Sequence, residues 1–435
     1  MTHALEFGNS GLTRSIFAQH SFAEKIRNAF VWLIFASAFV VIFEPAPTDL
    51  FFFLAFAAFL FKGANYTPVI MPFMLLLLVY NLGGIISYAL VTPTTEALQF
   101  NIVSIYMAIS GIFLASYLSV DTERRIQNVY SGYIFGAVVA GVLALLAFVF
   151  VKTIGRTFVS LGANPLIAFG RATGLFKDPN VFSTFMVFPC VLLAQRLLLG
   201  TSKRPLMTLV FFCIVFSSLV LALSRGAWIN LAGSIVTMVG LTFLLTQSNA
   251  LRGRVVLLSI VGLGLIVVAG IVLLSSPDMK ALFLDRFTLT KSYDSGERGR
   301  FGNQLNAIPL LLDRPLGMGP FEFPKIFREN PHNTFINAFV VGGWISGVTY
   351  FCLFCSNIYI GFRTVFTRSP YQNHAILVFC CLVNVMLQGI QIDTEHWRHY
   401  YWMMGIMWGI AAATLHYTNS LSSDVVDPPT RNAVV

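Results

Sequence analysis

The sequence predicts an all-α fold: a polytopic membrane helix bundle of about twelve transmembrane helices, with a large loop before the tenth. Three observations carry this reading. The chain is 56% hydrophobic and only 11% charged, with a mean hydropathy of +0.75, against about 25% charged residues in an average soluble domain. Apolar runs near the length of a membrane span, about 20 residues, recur along nearly the whole chain. Those runs are continuous, as suits a helix that satisfies its own backbone in lipid, whereas a barrel strand would alternate.

The first run extends from about Ile26 to Phe43, after Arg14, Lys25 and Arg27, and stops at Glu44-Pro45-Ala46-Pro47. It is too long for the apolar core of a signal peptide and has no small-x-small cleavage pattern, so it reads as a signal anchor and first span. The candidate spans lie near 27–43, 48–61, 69–91, 100–119, 130–151, 180–199, 206–223, 227–246, 255–275, 333–361, 373–390 and 400–417. The second is the weakest because its apolar stretch is short. This divides the chain into a cytoplasmic segment (1–26), a membrane domain (27–417) and a polar cytoplasmic tail (418–435).

Charge sets the orientation. With the N-terminus in the cytoplasm, the cytoplasmic turns carry Lys62, Arg124 with Arg125, Lys203 with Arg204, Arg252 with Arg254, and Arg363 with Arg368. The short outer turns carry Glu44, Asp49, Glu96, Asp393 and Glu395, with Arg398 as the basic exception. That is the positive-inside pattern. Two outer loops depart from it. Residues 152–178 hold Lys152, Arg156, Arg171 and Lys177, and residues 276–332 hold a larger basic set that includes Arg298, Arg300 and Arg314. A cationic cluster outside the membrane fits an anionic ligand such as a phosphate, and single members also fit ordinary contacts with headgroups. Within the larger loop, Phe301, Leu305, Ile308, Leu311 and Leu312 have helical spacing, with Pro309 as a kink and Gly317-Met318-Gly319-Pro320 as a tight turn. This predicts a small cap on the outer face.

The net charge of +9 bears on topology and on contact with anionic membrane lipids; no nucleic-acid partner is expected. All six cysteines fall in apolar runs and read as packing residues, and Cys352-x-x-Cys355 lacks the second pair that a zinc site needs. There is no P-loop, HExxH helix, GxSxG elbow, Rossmann glycine run or DxD-like pair, so no nucleotide, metal or other cofactor is expected.

A few residues stand out against this background. Arg225, in Ser224-Arg225-Gly226, sits between two apolar runs with almost no loop. An arginine there either faces a bundle cavity or snorkels to the headgroups. His332, in Asn330-Pro331-His332-Asn333-Thr334, stands where the large loop returns to the membrane; imidazole can take or orient a hydroxyl proton near neutral pH, although a lone histidine is often structural. Arg298 and Arg300 precede the loop helix, where guanidinium forks suit phosphate and Glu297 offers a competing partner. Arg171 lies just before the sixth span, and Asp178-Pro179-Asn180 looks like a helix N-cap.

The order and spacing of Leu223-Ser224-Arg225-Gly226-Ala227, Arg300 with its apolar helix, Arg314-Pro315-Leu316-Gly317-Met318-Gly319-Pro320, Pro331-His332-Asn333-Thr334-Phe335 and Gly342-Gly343-Trp344-Ile345-Ser346-Gly347 carry a resemblance. Over about Leu206 to Phe351 the chain resembles the O-antigen ligase and polymerase superfamily of bacterial inner-membrane glycosyltransferases. The resemblance implies an active site facing the periplasm, where Arg225 and Arg300 bind the pyrophosphate of an undecaprenyl-pyrophosphate-linked glycan donor and His332 activates the acceptor hydroxyl. Arg298 and Arg171 are further candidates for the pyrophosphate. The family often has Trp four residues after the loop arginine, where this chain has Gln304, which leaves Arg298 and Arg300 both open as its equivalent. The implied reaction is an inverting displacement that needs no metal, with lipid A–core or a growing glycan as acceptor. Ligation of O-antigen is the first reading and polymerisation of lipid-linked repeat units the second. A lipid-oligosaccharide flippase is the third, and it is disfavoured because the basic residues gather at the outer face rather than deep in the spans.

Overall fold

The computed structural model describes residues 22–60, 67–154, 167–168, 171–277, 280–281, 283–284 and 299–426. Helices dominate them. In order they are α1 (Phe22–Ala36), α2 (Pro47–Leu60), α3 (Met71–Leu90), α4 (Thr95–Leu118), α5 (Thr122–Ile154), α6 (Pro179–Leu199), α7 (Pro205–Leu221), α8 (Arg225–Leu245), α9 (Asn249–Leu274), α10 (Arg300–Asp313), α11 (Glu322–Phe327), α12 (Thr334–Phe366), α13 (Gln372–Gln388) and α14 (Arg398–Val426). A two-residue antiparallel pair, Ile167–Ala168 with Arg171–Ala172, lies between α5 and α6.

Each of the twelve expected spans overlaps one of these helices. Seven are long and apolar enough to cross a membrane: α3, α4, α5, α6, α8, α9 and α12. Three more, α2, α7 and α13, are apolar but shorter. The expected first span, to residue 43, is cut short because α1 ends at Ala36 in a turn. At the other end α14 runs to Val426, past the expected limit at 417.

Local chemistry sets the boundaries. Thr94 caps α4 by accepting from Ala97 N at 3.2 Å, and Asp178 caps α6 by accepting from Asn180 N, as its sequence context predicted. Proline opens α3, α6 and α7, where a missing amide hydrogen is harmless. In the bundle α12 packs on α3, α14 on α4, α1 on α5 and α2, and α13 on α8. α6 is the most enclosed of the long apolar helices, whereas α9 is exposed along nearly its whole length, as a lipid-facing helix would be. Cys190, Cys380 and Cys381 are buried packing residues.

Two of the sequence segments singled out above lock together. α12 breaks at Gly342-Gly343, where Gly343 has φ +66°. The turn Pro315–Met318 fills the break: Trp344 N donates to Pro315 O at 2.9 Å and Met318 N to Val340 O at 2.7 Å. The cap is thereby fixed to the bundle, with α10 lying on α12 over Ala307, Met318, Phe323 and Val340. A Cβ at Gly343 would stand 2.3 Å from Pro315 O. Gly343→Ala is therefore expected to destabilise the protein by roughly 1–3 kcal/mol from backbone strain alone, read as a lowered Tm in detergent. Gly240→Ala, whose Cβ would meet open space, should cost nothing, since alanine is the better helix former.

Candidate functional site

The start of α12 and the segment between α13 and α14 build one corner of the molecule. Asn333 caps α12, its side chain accepting from Phe335 N at 3.0 Å and Ile336 N at 3.2 Å. That cap leaves His332 immediately before the capping residue, with φ +51°, an uncommon conformation for a residue with a side chain. Residues 389–395 are then sewn onto the helix start. Thr334 N donates to Gly389 O at 2.7 Å, Thr334 Oγ1 to Ile392 O at 3.1 Å, and Thr394 N to Thr334 Oγ1 at 2.9 Å. Asn337 Nδ2 donates to Glu395 Oε1.

This stitching presents Asp393 to His332, with Oδ2 3.7 Å from Nδ1. Glu329 Oε2 stands 3.7 Å from Nε2 on the other side. Arg300, the first residue of α10, lies close enough to Asp393 for its charge to act on that carboxyl. Gln304, one turn further along α10, donates to His332 O at 3.4 Å and Ile390 O at 3.3 Å. The residue that departs from the family pattern thus ties α10 to the His332 corner, which sets Arg300 there.

Arg225 and Arg171 share a second corner. Arg225 opens α8, half-buried, after the N-cap Ser224. Arg171 donates from Nε to Ala222 O at 2.8 Å and from Nη2 to Asn180 Oδ1 at 2.9 Å, and Ser224 Oγ donates to the same Asn180 Oδ1 at 2.9 Å. Arg171 thereby braces the turn before Arg225. Gln388 joins the two corners. Its Nε2 donates to Thr184 Oγ1 at 2.9 Å, its Oε1 accepts from Asn230 Nδ2 at 2.8 Å, and it packs on Gly226, immediately after Arg225. Gly389 follows it and accepts from Thr334. Arg298 lies outside the described residues.

Asp393 and Glu395 read in sequence only as topology charges, although Asp393-Thr394-Glu395-His396 concentrates ionisable residues in one short turn. Burial pushes both carboxyls well above the ordinary carboxylate range. The charge of Asp393 pushes Glu395 further up, while the Asn333 backbone and the Arg300 guanidinium oppose the rise at Asp393. Asp393 Oδ1 and Glu395 Oε2 are buried without a hydrogen-bond partner among the described residues. His396 stacks on Phe100 with ring centroids 3.9 Å apart, and burial lowers it to about 4, so it is neutral at physiological pH. Arg398, the basic exception among the short outer turns, is bound to Asp49 at 2.9 Å.

A raised carboxyl in the folded state contributes stability that is complete below its ordinary value and is lost as pH rises through the raised value. Glu395→Gln cannot ionise and keeps an acceptor for Asn337. Between about pH 5 and about pH 9 the variant's Tm should therefore fall less than that of the wild type.

The residues just described are not confined to one stretch of the chain, but four of the sequence candidates lie within a single recognisable segment. Residues 209–351 match the family model described as O-antigen ligase. The chain is similar to O-antigen ligases. The matched segment runs from within α7 to within α12 and contains Arg225, Arg298, Arg300 and His332; Arg171, Asp393 and Glu395 lie outside it. No curated protein matches the chain. Together with the apolar helices, the match marks a multi-pass membrane protein that is similar to O-antigen ligases over residues 209–351.

Proposed function

We propose that the chain transfers a glycan from an undecaprenyl-pyrophosphate donor to an acceptor hydroxyl, and that the acceptor is lipid A–core, which makes it an O-antigen ligase. The observation that carries this is the meeting of Arg300, His332 and Asp393 at one corner, linked through Gln388 to the Arg225 corner. An imidazole flanked by a carboxylate is a proton acceptor held in place, and guanidinium groups suit a pyrophosphate leaving group.

In this reading His332 takes the proton of the acceptor hydroxyl as its oxygen attacks the anomeric carbon. Asp393 orients the ring and stabilises the imidazolium that forms. The bond from the anomeric carbon to the phosphate oxygen breaks, and Arg225 and Arg300 stabilise the charge left on undecaprenyl pyrophosphate. Arg171 supports Arg225 by bracing its turn, and Arg298 lies two residues from Arg300 in the chain. One displacement inverts the anomeric centre. The donor is already activated, so no nucleotide is needed, and the guanidiniums provide the positive charge that a metal would otherwise supply. The site faces the periplasm of a bacterial inner membrane.

The test is the surface-glycan profile of a deletion strain complemented with the wild type or with His332→Ala. Loss of every capped lipopolysaccharide band, with long chains left on the lipid carrier, supports ligation. Core bearing a single repeat unit and no ladder would replace this reading with O-antigen polymerisation. An unchanged ladder with loss of secreted polymer would replace it with exopolysaccharide polymerisation.

A further inference from the structure

At the end of the bundle opposite His332, α2 and α4 face each other across a ring-lined seam. Phe59 meets Phe113 and Tyr117 edge-on, with centroids 5.7 and 5.3 Å apart. Beside these rings lies a cavity of about 230 Å³ lined by Phe56, Phe59, Ile109, Ile112, Phe113 and Ser116, with Leu60 at its end. Its walls are apolar except for Ser116, whose Oγ is buried and has no hydrogen-bond partner among the described residues.

The lip of this cavity is cationic. The Arg27 guanidinium, from α1, stands 5.2 Å from the centre of the Phe59 ring, and that of Arg125, from α5, stands 5.8 Å from the same ring and 4.8 Å from that of Tyr117. Arg27 is 7% exposed. Neither guanidinium lies within ion-pair distance of a carboxylate among the described residues: the neighbouring Arg124 takes Glu24 at 3.3 Å and Asp121 at 3.2 Å. The Nε atoms of Arg27 and Arg125 are both buried without a hydrogen-bond partner among the described residues. Two like charges drawn to one ring are costly to bury unless an anion joins them, and cation–π contact offsets only part of that cost.

An apolar slot whose lip carries two guanidiniums outside ion-pair distance of any carboxylate among the described residues complements an amphiphile with an acyl chain and a phosphate. We propose that this crevice is a binding site for an anionic phospholipid, with one acyl chain seated between α2 and α4 and the phosphate held by Arg27 and Arg125. The site lies in the leaflet opposite the His332 corner and does not depend on the glycan-transfer reading. By spanning α1, α2, α4 and α5, a bound lipid braces that side of the bundle.

The experiment uses the full chain purified in a neutral detergent, with phosphatidylglycerol, phosphatidylcholine of the same acyl chains, or inorganic phosphate added. Native mass spectrometry reads lipid occupancy and thermal melting reads stability. Each arginine near a lipid phosphate is worth roughly five-fold in affinity, so phosphatidylglycerol should exceed phosphatidylcholine in occupancy by at least about five-fold and raise the Tm, while inorganic phosphate should not. Arg27→Gln with Arg125→Gln should abolish the preference, and Ser116→Phe, which fills the cavity, should reduce the occupancy of both lipids. Equal occupancy of the two lipids on the wild type overturns the proposal, as does a preference that survives the double substitution. A Tm rise with inorganic phosphate equal to that with phosphatidylglycerol overturns the acyl seat. Should the double variant fail to accumulate, full phosphatidylglycerol occupancy in Ser116→Phe overturns the proposal by itself.

Discussion

Replacing His332 with alanine is expected to lower glycan transfer by about 10²–10⁴-fold, the usual contribution of a positioned general base, with accumulation and Tm close to wild type. The corner is fastened by residues other than His332. Asn333 supplies the helix cap, and Thr334 with Asn337 fastens the 389–395 segment. What holds His332 from the backbone side is its carbonyl, which Gln304 bonds and which alanine retains. Its positive φ is a mild strain for either residue. Asp393→Asn should lie between wild type and His332→Ala, because it keeps the shape of the contact and loses the charge that stabilises imidazolium. The measurement is initial transfer rate in membranes matched for protein level. An inactive His332→Ala that also fails to accumulate would make the residue structural.

Arg300→Ala is expected to cost about 10²–10³-fold in rate, the scale seen when a donor aimed at a developing negative charge is removed. Arg300→Lys should recover only part of this loss, since an ammonium keeps the charge but not the bidentate fork that matches phosphate oxygens. The substitution has a second signature. Arg300 opposes the burial-driven rise of the Asp393 carboxyl, so removing it raises that value further, and the acid limb of any residual activity should move to higher pH. Arg225→Ala is expected to lose rate on the same scale. A loss of transfer without the pH shift would separate Arg300 from Asp393 and confine its role to the donor.

The helices were legible because lipid imposes a single rule. Each span must be apolar and helical for about 20 residues, and that pattern survives in the sequence however the helices pack. Some helix ends were less legible. α1 stops at Ala36 although the apolar run continues to Phe43, and α14 continues to Val426 although its sequence turns polar, so neither boundary follows hydropathy. Motif residues were legible where the chain itself juxtaposes the chemistry, as at Ser224-Arg225 and Pro331-His332-Asn333. Asp393 and Glu395 were not, because they meet His332 and Asn337 only through contacts about sixty residues apart in sequence. A rule that reads outer acidic residues as topology markers hides two that are buried. The pairing of Gly343 with Pro315 was likewise invisible: both segments stood out in sequence, but only the break in α12 shows that one fills the other.

In the proposed function this corner makes a glycosidic bond at the expense of a lipid pyrophosphate. This is tested most directly by reconstituting the purified protein with an undecaprenyl-pyrophosphate-linked glycan and lipid A–core, then determining product amount, released carrier and anomeric configuration together. The expected result is one undecaprenyl pyrophosphate released per glycan transferred, an inverted anomeric centre, and product from His332→Ala formed about 10²–10⁴-fold more slowly. A retained anomeric centre, or movement of intact donor across the bilayer without a new bond, would contradict it.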